Sequence, residues 1–449
     1  MRLLGSGPGM PRWVRELPMI PPDSSTRPGN PERDFLFKPA LISVLKRGYG
    51  PTALRADAIA GLTVAVVALP LSMALAIASG VPPERGLYTA IVGGFLISLL
   101  GGSRFQIGGP AGAFIVLVSA TVERHGYDGL VLATALAGMM MLALGVFRLG
   151  SYIRHIPFPV TVGFTAGIAV IIFASQLRDL LGLELAKEPG PLAAKLVALW
   201  GALGTIKPAA VAIALGSIAV IALIRKIRPN WPSFLIVVIA SAAITALFHL
   251  DIATIGSRFG AVPNSLPAPA LPMFSWEKIR AVLPDAIAIA LLGSIESLLS
   301  AVVADRMSGQ KHRPNGELVA QGFANITSVC FGGIPVTGTI ARTATNVRAG
   351  AKSPVSGMLH SLYLLLFMLI AAPLAVYIPL AALAAVLTVV AWNMAERHEF
   401  WALLRNNWAD ALVLLATFLL TAFEDLVVAI GVGVALSFLL RIIRMKHST

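Results

Sequence analysis

The chain has 449 residues, and at about 150 residues per domain its length alone would suggest roughly three soluble domains. Composition excludes that reading: 57% of residues are hydrophobic, only 13% are charged, and mean hydropathy is +0.81. So little charge cannot cover a water-facing surface, for which about a quarter of residues is usual, so lipid is the solvent for most of this chain. The net charge of +13 is gathered in the N-terminal fifty residues and a few short loops, with no basic stripe carrying interleaved aromatics. It reads as a positive-inside membrane bias and not as a nucleic-acid surface. The single cysteine, Cys330, excludes an internal disulfide.

In chain order, residues 1–50 form a basic, Pro-rich tail without an apolar leader, expected to lie in the cytosol and to be disordered up to about Asp34. Apolar segments of helical length follow at about 57–80, 84–101, 110–122, 129–148, 157–177, 207–225 and 231–249. An extracytoplasmic loop is expected over 251–283. Seven further segments are predicted at 284–304, 316–332, 338–348, 355–373, 377–394, 409–422 and 425–444. Most approach the roughly 20 residues that cross a bilayer. Two, 110–122 and 338–348, are clearly short, and 191–205 reads as an interfacial helix. The expected fold is an all-α membrane protein with 14 transmembrane helices and both termini cytosolic. The loop cations Arg104, Arg148, Arg154, Arg225, Lys226, Arg228, Arg306, Lys311, Arg313, Arg348, Lys352, Arg397, Arg405, Arg441, Arg444 and Lys446 then share one side.

An internal repeat is visible. Asp57-Ala58-Ile59-Ala60 opens the first crossing and Asp285-Ala286-Ile287-Ala288 the eighth; the second and ninth both end in a Gly-Gly pair; Ile156-Pro157 opens the fifth and Ile378-Pro379 the twelfth. Seven crossings per copy is odd, so the second copy must run upside down, the plan of secondary transporters. The domains are then 51–250 for the first repeat and 284–445 for the second.

The two short segments hold matching places, third and tenth, and each follows a Gly/Pro-rich break: Gly101-Gly102-Ser103 through Gly108-Gly109-Pro110, and Gly332-Gly333-Ile334-Pro335. A helix cannot run through these breaks. Two half-helices entering from opposite faces would point their electropositive N-termini at each other near the midplane and form an anion site. The donors expected there are the backbone groups of Ala111, Gly112 and Ala113, and of Thr339, Ile340 and Ala341. Arg342, just inside the tenth segment, would add charge to it. Glu296, an acid in the middle of the apolar run from Ile287 to Val303, would carry a proton or join hydroxyl oxygens around Na⁺, with Ser294, Ser297 and Ser300 nearby. Asn325, Thr327, Ser328 and Thr337 are weaker candidates that would serve as bonds between helices. Only His360 among the histidines falls within a span; no metal-ligand spacing, nucleophile triad or P-loop appears, and no cofactor is expected.

At this point the sequence resembles the SulP sulfate-permease family, relatives of animal anion exchangers and prestin. The matching stretches are DAIAGLTVAVVALPLSMALAIASGVPPERGLYTAIVGG (57–94), GGSRFQIGGPAGAF (101–114), HIPFPVTVGFTAGIAVII (155–172), LLGSIESLLSAVVAD (291–305) and FGGIPVTGTIARTATNVRAGAKSPVSG (331–357). The resemblance implies two inverted seven-helix repeats, a core domain from crossings 1–4 and 8–11, a gate domain from 5–7 and 12–14, and substrate between crossings 3 and 10. It carries Leu71 and Leu75 of crossing 1 into the pocket beside Ala111, Gly112, Thr339, Ala341 and Arg342. Many members have Gln where this chain has Leu71, and Ser where it has Ala341, so backbone and charge would do more of the binding. The bacterial bicarbonate branch often has Asp at the Glu296 position with a hydroxyl one turn later, here Ser300. Members usually end in a cytosolic STAS domain, expected to be absent from a chain that stops at Thr449, and a homodimer is implied.

The function expected is secondary transport of a small anion, most of all sulfate, coupled to H⁺ or Na⁺ across the bacterial inner membrane. Bicarbonate or a C4-dicarboxylate is the alternative substrate, and an uncoupled anion channel the alternative of another class. An enzyme is not expected.

Overall fold

The computed structural model describes residues 38–447 except 151–156, 186–188, 190–191, 230 and 425. The expected disordered tail, Arg154 and Ile156 lie outside the described residues, as do the side chains of Arg441, Arg444 and Lys446.

A short helix α1, Ala40–Lys46, docks through the Ala40 amide on the Gly101 carbonyl at 2.8 Å. The first repeat-length stretch then holds α2 (Pro51–Ala78), α3 (Pro83–Tyr88), a π-helical turn (Thr89–Gly93), α4 (Gly94–Leu100), strand β1 (Gly108–Gly109), a 3₁₀ turn (Gly112–Phe114), α5 (Ile115–Val146), α6 (Phe158–Leu181), α7 (Leu192–Gly201), α8 (Pro208–Ile227) and α9 (Ser233–Leu247). After a small helix α10 (Ile255–Phe259) come α11 (Trp276–Ser308), α12 (Pro314–Cys330), β2 (Thr337–Gly338), α13 (Ile340–Arg348), α14 (Val355–Ala371), α15 (Leu380–Met394), α16 (Arg397–Asn406), α17 (Trp408–Phe423) and α18 (Leu426–His447). Proline opens α2, α3, α8 and α12, where its missing N–H costs nothing. Glycines in the left-handed region, Gly182 and Gly309, end α6 and α11.

Among the described residues seven helical stretches are long and apolar enough to cross a membrane: Pro51–Ala78, Gly112–Val146, Phe158–Leu181, Pro208–Ile227, Trp276–Ser308, Val355–Tyr377 and Leu380–Arg405. Ser233–Leu247 and Trp408–Phe423 are apolar but shorter. This is a mostly helical membrane protein. The expected segments 110–122 and 129–148 run on as one assigned helix, broken at Gly126, whose φ of 70° bends the chain between them.

The expected loop 251–283 is shorter than the sequence suggested. Helix α11 starts at Trp276, capped by the Ser275 hydroxyl accepting from the Lys278 amide at 3.2 Å. Glu277, Lys278 and Arg280 hide that first turn from any search for apolar runs. The same polarity hides α16, which lies between two expected crossings.

Packing divides the helices into two groups. In one, α2 lies on α14, α5 crosses both α11 and α12, and α13 rests on α2 and α11. In the other, α6 lies on α15 and α17, α8 on α15 and α9, and α17 on α16 and α18. Small residues let backbones meet: a methyl on Gly138 would lie 2.8 Å from the Gly322 carbonyl, and one on Gly322 would lie 2.6 Å from the Gly138 carbonyl.

Two buried aspartates tie the first group together. Asp57 accepts from the amides of Lys352 (2.6 Å) and Ser353 (3.1 Å), from the Ser353 hydroxyl and from Tyr49 (2.8 Å), and so holds the loop that follows α13. Asp285 accepts from Thr121 (3.0 Å) and Arg124 (2.6 Å) at the bend of α5. Each aspartate of the repeated Asp-Ala-Ile-Ala motif therefore clamps the far end of the short helical segment in the other half of the chain.

Removing either carboxylate should strand donors that it now satisfies. Asp57→Ala and Asp285→Ala are each expected to destabilise the detergent-solubilised protein by at least ~2 kcal/mol, read as a lowered unfolding midpoint; an unmoved midpoint contradicts the clamp.

Candidate functional site

Neither glycine-rich break is helical, and the two breaks meet. Strands β1 and β2 pair antiparallel with Gly108 opposite Gly338 and Gly109 opposite Thr337. The Thr339 amide extends the pairing to the Ile107 carbonyl at 2.9 Å. A helical turn begins three residues beyond β1 and two residues beyond β2, after extended Ala111 (φ −123°, ψ 149°) and extended Thr339 (φ −100°, ψ 122°). The amides of Gly112 and Ala113, and of Ile340, Ala341 and Arg342, have no backbone acceptor among the described residues. These are the orphan donors of two helix starts, each with a partial positive charge.

Side chains of α12 fix the breaks. Glu317 accepts from the amides of Gly102 (2.9 Å) and Ser103 (3.0 Å). Asn325 holds Val336 at both ends, donating to its carbonyl (2.8 Å) and accepting from its amide (3.0 Å). Ser328 donates to the Ile334 carbonyl (2.9 Å), and Thr337 donates to the Gly293 carbonyl (3.1 Å). Asn325, Ser328 and Thr337 thus have their polar groups occupied in holding backbone. Thr327 instead lines an apolar groove with Phe331 and Leu362.

Arg342 lies 2% exposed within the first helical group. Its Nη2 donates to the Ser72 hydroxyl at 3.2 Å, while Nε and Nη1 have no partner. Its guanidinium comes up against β1: a methyl at Gly109 would lie 2.0 Å from Nη1, so any larger residue there would displace the guanidinium. No carboxylate pairs with it among the described residues, and its burial excludes a snorkelling cation at a membrane edge.

Leu71 and Leu75 of α2 are buried in the same apolar cluster as Ala111 and Ala113. Gly112 faces the second helical group, where a methyl would lie 3.1 Å from Met394 Sδ and 3.3 Å from Ile172 Cδ1. Thr339 is buried, Ile340 half-buried and Ala341 exposed.

Glu296 is half-buried on α11, and its Oε2 is enclosed without a hydrogen-bond partner. The serines around it are engaged elsewhere. Ser294 donates to the Ala290 carbonyl (2.6 Å), Ser297 accepts from Gln106 (2.8 Å), and Ser300 donates to the Thr343 hydroxyl (3.0 Å). Thr343 in turn accepts from the Ile107 amide at 3.1 Å, tying α11 and α13 to the residue that precedes β1.

Sequence reasoning missed Ser72, Gln106 and Thr343. Each is the polar neighbour of a residue or break it had marked, which is the signal that could have found them. Ile172 and Met394 carried no signal, since they reach the site only through the packing of distant helices. A separate cavity of about 550 Å³ opens among Arg178, Asp179, Lys207 and Arg258 in the second group. Its charges are largely paired, Arg258 to Asp179 at 2.8 Å and Lys207 to Glu184 at 3.2 Å.

Comparisons with known proteins show the family. The model of the Sulfate permease family matches residues 54–417. The chain is 45% identical over 404 residues to YvdB of Bacillus subtilis (strain 168), whose name marks it as a candidate sulfate transporter, covering 90% of this chain and 76% of that protein. It is 32% identical over 413 residues to the bicarbonate transporter BicA of Picosynechococcus, covering 88% and 71%. The solved transmembrane domain of a cyanobacterial BicA matches with a TM-score of 0.78 at 30% identity, over 86% of this chain and 98% of that one. The chain belongs to the sulfate permease family of multi-pass membrane anion transporters and is not an enzyme.

Proposed function

We propose that the protein is a secondary active transporter of small inorganic anions, sulfate first among them, coupled to H⁺ or Na⁺. The observation that carries this reading is the pair of helix starts joined by β1 and β2, with five unbonded amides beside the acid-free guanidinium of Arg342. Such a cluster stabilises an oxyanion through backbone donors and full charge at once. The binding residues are Ala111, Gly112, Ala113, Thr339, Ile340, Ala341 and Arg342, with Leu71 and Leu75 closing the apolar side. Similarity to YvdB favours sulfate. Similarity to BicA favours bicarbonate as the second reading.

The chain is read as 14 crossings in two inverted repeats, 51–250 and 284–445, with residues 1–50 and the C-terminus in the cytosol of a bacterium and a homodimer in the inner membrane. The matching roles of Asp57 and Asp285 support the repeat. Core and gate domains correspond to the two helical groups, and alternating access follows from one moving against the other. Glu296 is the coupling residue: its unpartnered Oε2 can take a proton, or a Na⁺ that recruits the Ser300 hydroxyl away from Thr343.

Proteoliposomes should accumulate labelled sulfate above equilibrium under an imposed H⁺ or Na⁺ gradient, tested beside bicarbonate, chloride and fumarate. Downhill flux without accumulation would point to a channel. Arg342→Ala should raise the KM for the anion by about tenfold or more, the loss of one charge-assisted contact. Glu296→Gln should retain anion exchange but lose accumulation driven by the cation gradient. Undiminished gradient-driven uptake by this variant would remove Glu296 from the coupling.

A further inference from the structure

Helix α14 carries His360 in its interior-facing turn, wholly buried. Neither ring nitrogen has a hydrogen-bond partner. A buried polar group without a partner is costly, so a lone imidazole here calls for a role.

Its location follows from three contacts. Asn346 of α13 donates to the Ser356 hydroxyl of α14 at 2.9 Å. Arg342 lies one turn from Asn346, and His360 one turn from Ser356, each on the side away from the loop that joins the helices. Helix α2 seals the far side, where a methyl on Gly61 would lie 3.1 Å from the His360 backbone nitrogen. The neighbouring Ser361 hydroxyl donates to the Ala90 carbonyl at 3.1 Å, and a methyl on Gly109, against which Arg342 Nη1 rests, would lie 3.8 Å from Ala90 Cβ, so the two side chains flank the same stretch of β1. Arg342 therefore has two unmet donors, Nε and Nη1, and His360 has an unmet acceptor. Among the described residues, the only hydrogen bond that the guanidinium makes is the 3.2 Å contact to Ser72.

We propose that His360 is a positioning residue for Arg342, accepting a guanidinium N–H in a second pose in which the arginine is withdrawn from the two helix starts. The Ser72-bonded pose presents charge to the anion; the His360-bonded pose releases it. The balance between the two sets affinity and off-rate together. This inference rests on the anion site proposed above.

The test is uptake kinetics in proteoliposomes with sulfate and bicarbonate as probes. His360→Leu removes the acceptor, so KM should fall by about tenfold and Vmax should fall with it, because the anion is held too well. His360→Gln, which keeps an acceptor, should restore both. Ser72→Ala is the opposite arm and should raise KM by a similar factor. It also covers the case in which His360→Leu does not fold. An unchanged KM in His360→Leu or in Ser72→Ala overturns the proposal, as does a His360→Gln variant indistinguishable from His360→Leu, which would make the histidine a packing residue. If the wild-type vesicles take up neither anion, the function reading falls and takes this one with it; normal wild-type uptake with a failed variant series overturns this one alone.

Discussion

Residues 102–111 and 334–339 give up helical hydrogen bonding inside a membrane protein, where water cannot take its place. Their backbone groups must be met by protein, and the antiparallel pairing of Gly108-Gly109 with Thr337-Gly338 is how the two stretches begin to meet each other. That pairing fixes the distance between the helices that follow, and so fixes where two sets of orphan amides come to rest. The remaining groups of the breaks fall to Glu317, Asn325, Ser328 and Thr89. Helix α12 is consequently amphipathic in an unusual sense: its polar face looks inward.

The electrostatics follow from the same constraint. Arg342 is held by a serine and the face of a glycine, without an acid, and Glu296 has an enclosed oxygen without a base. Paired with each other they would cancel, and the site would have no charge left for a ligand. Kept apart, each remains expensive until something arrives to satisfy it. Binding energy can therefore be drawn from relieving a burden already present in the folded protein.

Much of this was legible in the sequence. The breaks were marked by Gly-Gly and Gly-Pro pairs, the short segments by their length, and Arg342 and Glu296 by the rarity of charge in apolar runs. The first turns of α11 and the whole of α16 were not legible, because charged residues occupy them and apolar periodicity ends where the lipid does. Ser72 and Thr343 were passed over because hydroxyls are ordinary in such helices; only their partners distinguish them. Met394 lies 282 residues from Gly112, and no local pattern relates the two.

That last contact has a mechanical meaning. Where Gly112 faces Ile172 and Met394, the seam between the helical groups is a thioether and a methyl against bare backbone. Among the described residues no hydrogen bond joins α6 or α15 to α2, α5 or α13, whereas such bonds stitch the first group together internally. A seam without directional bonds has no toothed register: it can slip by small steps, each one exchanging dispersion contacts of nearly equal depth. Resistance to sliding then comes from admitting solvent along an oily crack, so the barrier belongs to wetting and not to bond rupture.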